Sequence, residues 1–299
     1  MAEPQTPERR VQRGTSRTAE WVCVTRACSF RDRDPYRHSD DWVAAAILPR
    51  FLRVATRLAP FRRRVWPRLA RPGMFAWVVA RTRYIDAVFA RYGGDVEQVA
   101  IMGAGYDSRA IRFADLLKRA RVFEVDAPKP QADKRRGLSL RKLSTPANLT
   151  FVPVDFETQS AAECLAGAGF ERGKATLFLL EGLTMYLEPE TIDATFRMIA
   201  EAAGPGSVLV FDYAYAAVIA GDASAYGAAG LAQQVSRTGE AWRFGIAKGA
   251  VAEFLARYHF AVVDEASPEA LEQRCFTDES GRTVARVNGT QALVTARPD

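Results

Sequence analysis

The chain has 299 residues, 48% of them hydrophobic, which suffices for one large α/β domain with additions or for two small ones. No apolar run is long enough to span a bilayer and no signal-peptide core opens the chain; four cysteines (Cys23, Cys28, Cys164, Cys275) without C-x-x-C spacing point to reduced thiols in a cytoplasm. The net charge of +6 is uneven: residues 1–92 hold 19 Arg and no Lys against 8 Asp plus Glu, so they carry +11 and the remainder −5.

Residues 1–16 are polar and read as a mobile tail. From Ser16, the spacing of Trp21, Val22, Val24, Ala27 and Cys28 predicts a helix. Asp34-Pro35-Tyr36 marks a turn, and Asp40 or Asp41 can cap a helix through Ile47. Pro49, Pro60, Pro67 and Pro72 divide the next stretch into short helical pieces. These pieces carry Arg50, Arg53, Arg57, Arg62, Arg63, Arg64, Arg68 and Arg71 interleaved with apolar residues. Such a stretch can serve an acidic protein partner, an anionic membrane or nucleic acid, or simply be a solvated face; its few aromatics argue against nucleic acid. Residues 75–92 form a stronger helix closed by Gly93-Gly94, so residues 1–95 read as a tail and an all-helical cap.

Residues 96–299 read as an α/β core in which strands alternate with helices. Strands are expected near 99–102, 121–126, 149–154, 175–180, 206–212, 260–265 and 291–296, and helices near 108–119, 158–168, 190–202 and 249–258. This alternation implies a mostly parallel sheet with right-handed crossovers. The first strand feeds Gly103-Ala104-Gly105 and then a helical run, the arrangement that turns a helix N-terminus toward a bound ligand. Ser108 stands where a dinucleotide fingerprint has its third glycine, so the match is incomplete. The second strand ends in Asp126, about 20 residues beyond the glycines, where a carboxylate can accept hydrogen bonds from ribose hydroxyls. Together these features imply a nucleoside-containing cofactor. The segment 213–248, with Tyr213, Tyr215, Tyr226, Trp242 and Phe244, is either a lid or substrate wall or an ordinary packed insertion.

Several blocks then match one family in order. Gly103-Ala104-Gly105-Tyr106-Asp107-Ser108-Arg109 resembles the Gly-Ala-Gly-x-Asp-Thr-Arg motif of the leucine carboxyl methyltransferase superfamily, whose bacterial branch includes polyketide O-methyltransferases of the tetracenomycin type. Phe123 to Pro128 with Lys134-Arg135-Arg136, Val152 to Phe156, Leu179 to Leu187 (the Glu-Gly-x-Thr-Met-Tyr-Leu block) and Ala80 to Tyr84 are similar to further family signatures. The resemblance implies a class I methyltransferase: a Rossmann-like, seven-stranded, mostly parallel sheet with its seventh strand antiparallel, binding S-adenosyl-L-methionine. Carried over, Gly103, Ala104 and Gly105 line the amino-acid portion of that cofactor and Asp126 its ribose. Asp155 and Phe156 meet the adenine, Arg81 pairs with the carboxylate, and Glu181 lies near the amino group. Arg26 is the nearest candidate for a second basic contact. Asp107 can instead cap a helix, and Arg109 can brace Asp107 or Glu124.

A sulfonium methyl is already activated, so holding the acceptor in line with it accounts for much of the expected acceleration. A carboxylate acceptor is ionised at neutral pH and needs no general base, whereas a hydroxyl profits from one. His38 and His259 fall in no matching motif, they are too far apart in sequence to suggest a metal site, and their scarcity favours a carboxyl acceptor. Tyr186 and Tyr213 are the candidates to serve the acceptor. The expected function is methylation of a carboxyl or hydroxyl group on a small molecule such as a polyketide, free or carrier-bound. The alternatives are a protein C-terminal carboxyl methyltransferase and a non-catalytic cofactor-binding protein.

Overall fold

The computed structural model describes residues 17–155, 158–229 and 241–299. Its N-terminal part is a series of helices, and each break contains a proline. Helix α1 (Arg17–Phe30) ends before the Pro35 turn, and α2 (Trp42–Ile47) starts where the Asp41 carboxylate accepts the Ala44 amide at 2.9 Å. Asp41, not Asp40, is therefore the cap. Pro49 precedes α3 (Arg50–Ala55), and Pro60 precedes a π-helical turn (Phe61–Val65) that runs into the short α4 (Trp66–Arg68). Gly73 then adopts φ +74°, and a Cβ there would lie 2.5 Å from the Asn288 amide nitrogen, so only glycine can open α5 (Met74–Tyr92) at this approach.

Strands β1 (Gln98–Met102), β2 (Arg121–Asp126), β3 (Leu149–Pro153), β4 (Thr176–Leu180), β5 (Val208–Ala214), β6 (Phe260–Ala266) and β7 (Gln291–Pro298) form one sheet in the order β3-β2-β1-β4-β5-β7-β6. The first five are parallel; β7 enters antiparallel between β5 and β6, as the resemblance implied. The strand order reverses between β1 and β4, which opens a crevice at their carboxyl ends. β5 starts and ends two residues later than expected. Gly206 (φ +85°) still belongs to the turn, Ser207 uses its hydroxyl to accept the Thr176 amide at 3.0 Å, and residues 212–214 pair with β7. The shift puts Asp212 and Tyr213 on the strand.

The remaining helices are α6 (Arg109–Arg112), α7 (Pro128–Leu140), α8 (Ala161–Gly167), α9 (Pro189–Ala202), α10 (Ala216–Ile219), α11 (Val251–Ala256) and α12 (Pro268–Phe276). The helix expected over 108–119 forms only as α6. Ser108, which would cap it, accepts instead from Arg112 Nε at 2.8 Å, and residues 113–119 continue as turns.

Alternation along the strands divides the core in two. Val99, Ile101, Leu177, Leu179, Val208 and Val210 face α1, α2, α5 and α12; Ala100, Met102, Phe178, Leu180, Leu209 and Phe211 face α8, α9 and α11. On the second face Phe196 meets Phe211 and Phe254 edge-on, with centroids 5.1 and 4.9 Å apart. On the first, Trp77 of α5 is 1% exposed, a burial whose truncation would cost about 3–5 kcal/mol. The N-terminal helices thus share one core with the strands and, over their described part, form a layer on the sheet.

Candidate functional site

Every strand that the motifs single out ends at the crevice. β1 runs into Gly103 (φ +65°) and Gly105 (φ +46°), both in the left-handed region that favours glycine. Leu183 fills the space beside Gly103, whereas a Cβ on Gly105 would sit in ordinary contact with the Gly103 carbonyl at 3.8 Å and with Ala19 and Asp126 at 4.0 Å. Ala104 ties the turn to β2 by donating its amide to the Val125 carbonyl at 3.0 Å. Asp126 closes β2 by accepting the amides of Gly105 and, at 2.7 Å, of Ala127. Burial pushes its carboxyl up, and the two amides pull it back. The glycine turn and the acid of the sequence reading are thus in direct contact.

Beside them lies a network of charges drawn from α1, the cap of α2, α5, α6 and the turn before it, the end of β4 and β5. Arg81 of α5 meets Glu181 at 3.1 Å and Asp212 at 2.7 Å. Arg109 reaches the other Glu181 oxygen at 2.6 Å, Asp86 at 2.8 Å, and Asp107. Arg112 binds Asp86 at 2.7 Å, and Arg26 binds Asp41 at 3.1 Å and donates to the Tyr106 carbonyl at 2.8 Å. Four arginines meet five carboxylates, a formal charge of −1. Burial alone would raise the Glu181 carboxyl, but Arg109, Arg81 and Arg26 hold it far below the ordinary carboxylate range. Its side chain keeps 11% exposure beside Arg81 at 6%, Asp86 keeps 17%, and Arg109 and Asp212 keep none, so the network reaches solvent at Glu181 and at Asp86.

The other sequence-predicted residues are distributed unevenly. Asp107 is not the N-cap of α6, a position Ser108 holds; from one residue earlier it accepts the Arg109 amide at 2.7 Å, and Arg109 braces it rather than Glu124. Glu124 turns instead to Lys134 at 2.5 Å, a pair so buried that the Glu124 carboxyl is pushed up to about 7 despite that cation. Asp155 stands at the end of β3, its amide held by Gln159 at 2.9 Å; Phe156 lies outside the described residues. Tyr186 sits on the turn Thr184–Tyr186 after β4, five residues beyond Glu181. Tyr213 is not brought to the network. It faces the opposite side of β5 from Asp212, and its hydroxyl donates to Glu265 at 2.6 Å. Neither histidine comes near: His38 contacts Asp40 at 2.8 Å, and His259 precedes β6 at the opposite end of the sheet. Of the segment 213–248, residues 230–240 lie outside the described residues. Tyr215 and Tyr226 line a cavity of about 450 Å³ with Lys248, Glu269 and Arg286.

A family model described as leucine carboxyl methyltransferase matches residues 19–200, more than half of the chain. The chain belongs to the leucine carboxyl methyltransferase family. Two curated relatives carry names that propose S-adenosyl-L-methionine-dependent methyltransferases. YktD of Bacillus subtilis is 36% identical over 118 residues, which cover 40% of this chain and 38% of YktD. A Rhodococcus jostii protein is 37% identical over 134 residues, 44% of this chain and 45% of its own. The chain therefore spans less than half the length of these relatives. A crystal structure of a proposed methyltransferase from Thermobifida fusca shares the fold, with a TM-score of 0.60 over 98% of each chain at 14% identity.

The family match contains the glycine turn, Asp126, Glu181 and Tyr186 but stops before Asp212. Asp212, Asp86, Arg112 and Asp41 belong to the network, yet no motif singled them out. Asp212 did leave a signal: a carboxylate in the otherwise apolar run 208–213 is costly unless a cation partners it.

Proposed function

We propose that this protein is an S-adenosyl-L-methionine-dependent O-methyltransferase acting on a carboxyl, or less favourably a hydroxyl, group of a small molecule such as a polyketide. The observation that carries the reading is the meeting, at the carboxyl ends of the strands, of the Gly103–Gly105 turn, Asp126, and the Arg81–Glu181–Asp212 network. These features fit the cofactor's parts. Gly103, Ala104 and Gly105 offer backbone to its amino-acid portion, Asp126 offers a carboxylate to ribose hydroxyls, and Asp155 and Phe156 are positioned in sequence for the adenine. Arg81 and Arg26 suit a carboxylate, and Glu181 suits an ammonium. The network's formal charge of −1 favours a ligand of net positive charge.

When bound, S-adenosyl-L-methionine supplies a methyl group on a positively charged sulfur. The chain's task is then to bind and align the acceptor and to exclude water. Neither histidine stands at the crevice, which favours an acceptor already ionised at neutral pH, a carboxylate. Tyr186, on the loop that follows Glu181, is our candidate to touch that acceptor. Tyr213, committed to Glu265, supports the strand instead.

The arginine-rich face supports an acidic carrier protein as the source of the acceptor. Residues 50–71 contain no acid, and Phe51, Val54, Leu58, Val65 and Leu69 are exposed among the arginines. A cytoplasmic location fits four free thiols, and no described helix is long and apolar enough to cross a membrane.

Isothermal titration with S-adenosyl-L-methionine and S-adenosylhomocysteine tests the reading. Both should bind saturably, and Asp126→Ala should weaken both by about 10- to 100-fold, the value of one charge-assisted hydrogen-bond site. Failure of the unaltered protein to bind either compound would overturn it.

A further inference from the structure

Every well-buried arginine near the crevice has a carboxylate partner, as Arg26, Arg81, Arg109 and Arg112 show. Arg71 does not. It lies in the turn between α4 and α5, half-buried, and its side chain makes no hydrogen bond or ion pair among the described residues. Its Nη1 atom is buried without a partner. Its contacts are the Trp242 ring, whose centroid lies 5.5 Å from the guanidinium carbon, and the electrostatic neighbourhood of Tyr186. Burial pushes the Arg71 guanidinium down, and no carboxylate pulls it back.

The surroundings hold Arg71 in this position from three parts of the chain. Below it, Gly73 is pinned by its carbonyl, which accepts the Asn288 amide at 3.1 Å. Opposite, the segment bearing Trp242 is fastened to the Tyr186 loop: the Arg243 amide donates to the Met185 carbonyl at 2.7 Å, and the Arg243 side chain pairs with Glu188. A guanidinium fixed on an aromatic ring, with one donor edge desolvated and unmatched, is poorly stabilised alone and well suited to a planar anion.

We propose that Arg71, backed by Trp242, is the anion subsite for the methyl acceptor: it pairs with a carboxylate of the acceptor beside Tyr186 and so selects carboxylate-bearing substrates. The inference rests on the methyltransferase reading and adds to it the charge of the acceptor and the residue that recognises it. The cofactor has its own cations in Arg81 and Arg26, ten or more residues away in sequence. Arg71 serves the other ligand.

The test is calorimetric binding to protein saturated with S-adenosylhomocysteine, using benzoate, 2-naphthoate and decanoate, each against its neutral amide. On the unaltered protein at least one carboxylate should bind about 10- to 100-fold tighter than its amide. Arg71→Met should erase that preference, and Arg71→Lys should keep part of it by retaining the charge without the planar fork. S-adenosylhomocysteine affinity should stay within twofold in both variants, which also shows that they are folded. A preference that survives Arg71→Met, or no preference for any carboxylate in the unaltered protein, overturns the subsite. So does a loss of S-adenosylhomocysteine affinity in the variants, which would assign Arg71 to the cofactor. Failure of the unaltered protein to bind S-adenosylhomocysteine would instead strike the methyltransferase reading itself.

Discussion

Arg71 and Arg81 lie ten residues apart on either side of the start of α5, and the structure treats them in opposite ways. Arg81 is fully enclosed and shared between two carboxylates. Arg71 is half-buried, stacked on a tryptophan, and matched by no acid. A buried cation that is fully paired supports the fold; one left unpaired costs stability until an anion meets it. The first region is therefore held together before any ligand arrives, although Arg81 also serves the proposed cofactor carboxylate; the second is completed only by a ligand.

The sharpest way to break this comparison is Arg81→Met. It leaves Asp212 without a guanidinium and Glu181 with Arg109 only, and it should cost about 3–5 kcal/mol in urea unfolding. A loss below about 1 kcal/mol would mean that Arg81 is not the keystone its contacts suggest. Arg71→Met should shift stability by less than about 1 kcal/mol in either direction, because relief of an unmatched charge offsets a lost cation–π contact. A cost like that of Arg81 would place Arg71 in the framework and close the contrast. Smallest of all, reversing the exposed Arg57, Arg64 and Arg68 to Glu should change the unfolding free energy by about 0.5 kcal/mol or less. The sign should be neutral or slightly stabilising, since Arg57 already repels the partly buried Arg31. Association with an acidic carrier protein, read by surface plasmon resonance at low salt, should slow at least tenfold. An unchanged rate would remove the carrier from the proposal.

How much of this was legible in the sequence depends on how local each signal is. The strands and the glycine turn were readable because a short continuous apolar run and a glycine at a strand end are local patterns: β1, β4 and β5 are buried at every position, and all seven strands lie close to their expected positions. Asp126 was found by its spacing from the glycines, and its contact with Gly105 follows from β2 lying beside β1. The shortness of α6 was not readable: the run to residue 119 has helical composition, yet residues 113–119 form turns. The partners of Arg81 and Arg109 were only half visible. Asp107 adjoins Arg109 in sequence, whereas Asp212 lies 131 residues from Arg81 and meets it only through the order of the strands. Arg71 looked like one more arginine in a basic run, because nothing local distinguishes a solvated cation from one pressed against Trp242.

The separation of Arg81 and Asp212 also has a consequence for biosynthesis. At about 5–20 residues per second, a ribosome needs on the order of ten seconds to travel from one to the other. During that interval α5 exists with its guanidinium but without Asp212, one of its two carboxylate partners. The N-terminal helices are made first, yet Arg81 gains Asp212 only once β5 has emerged.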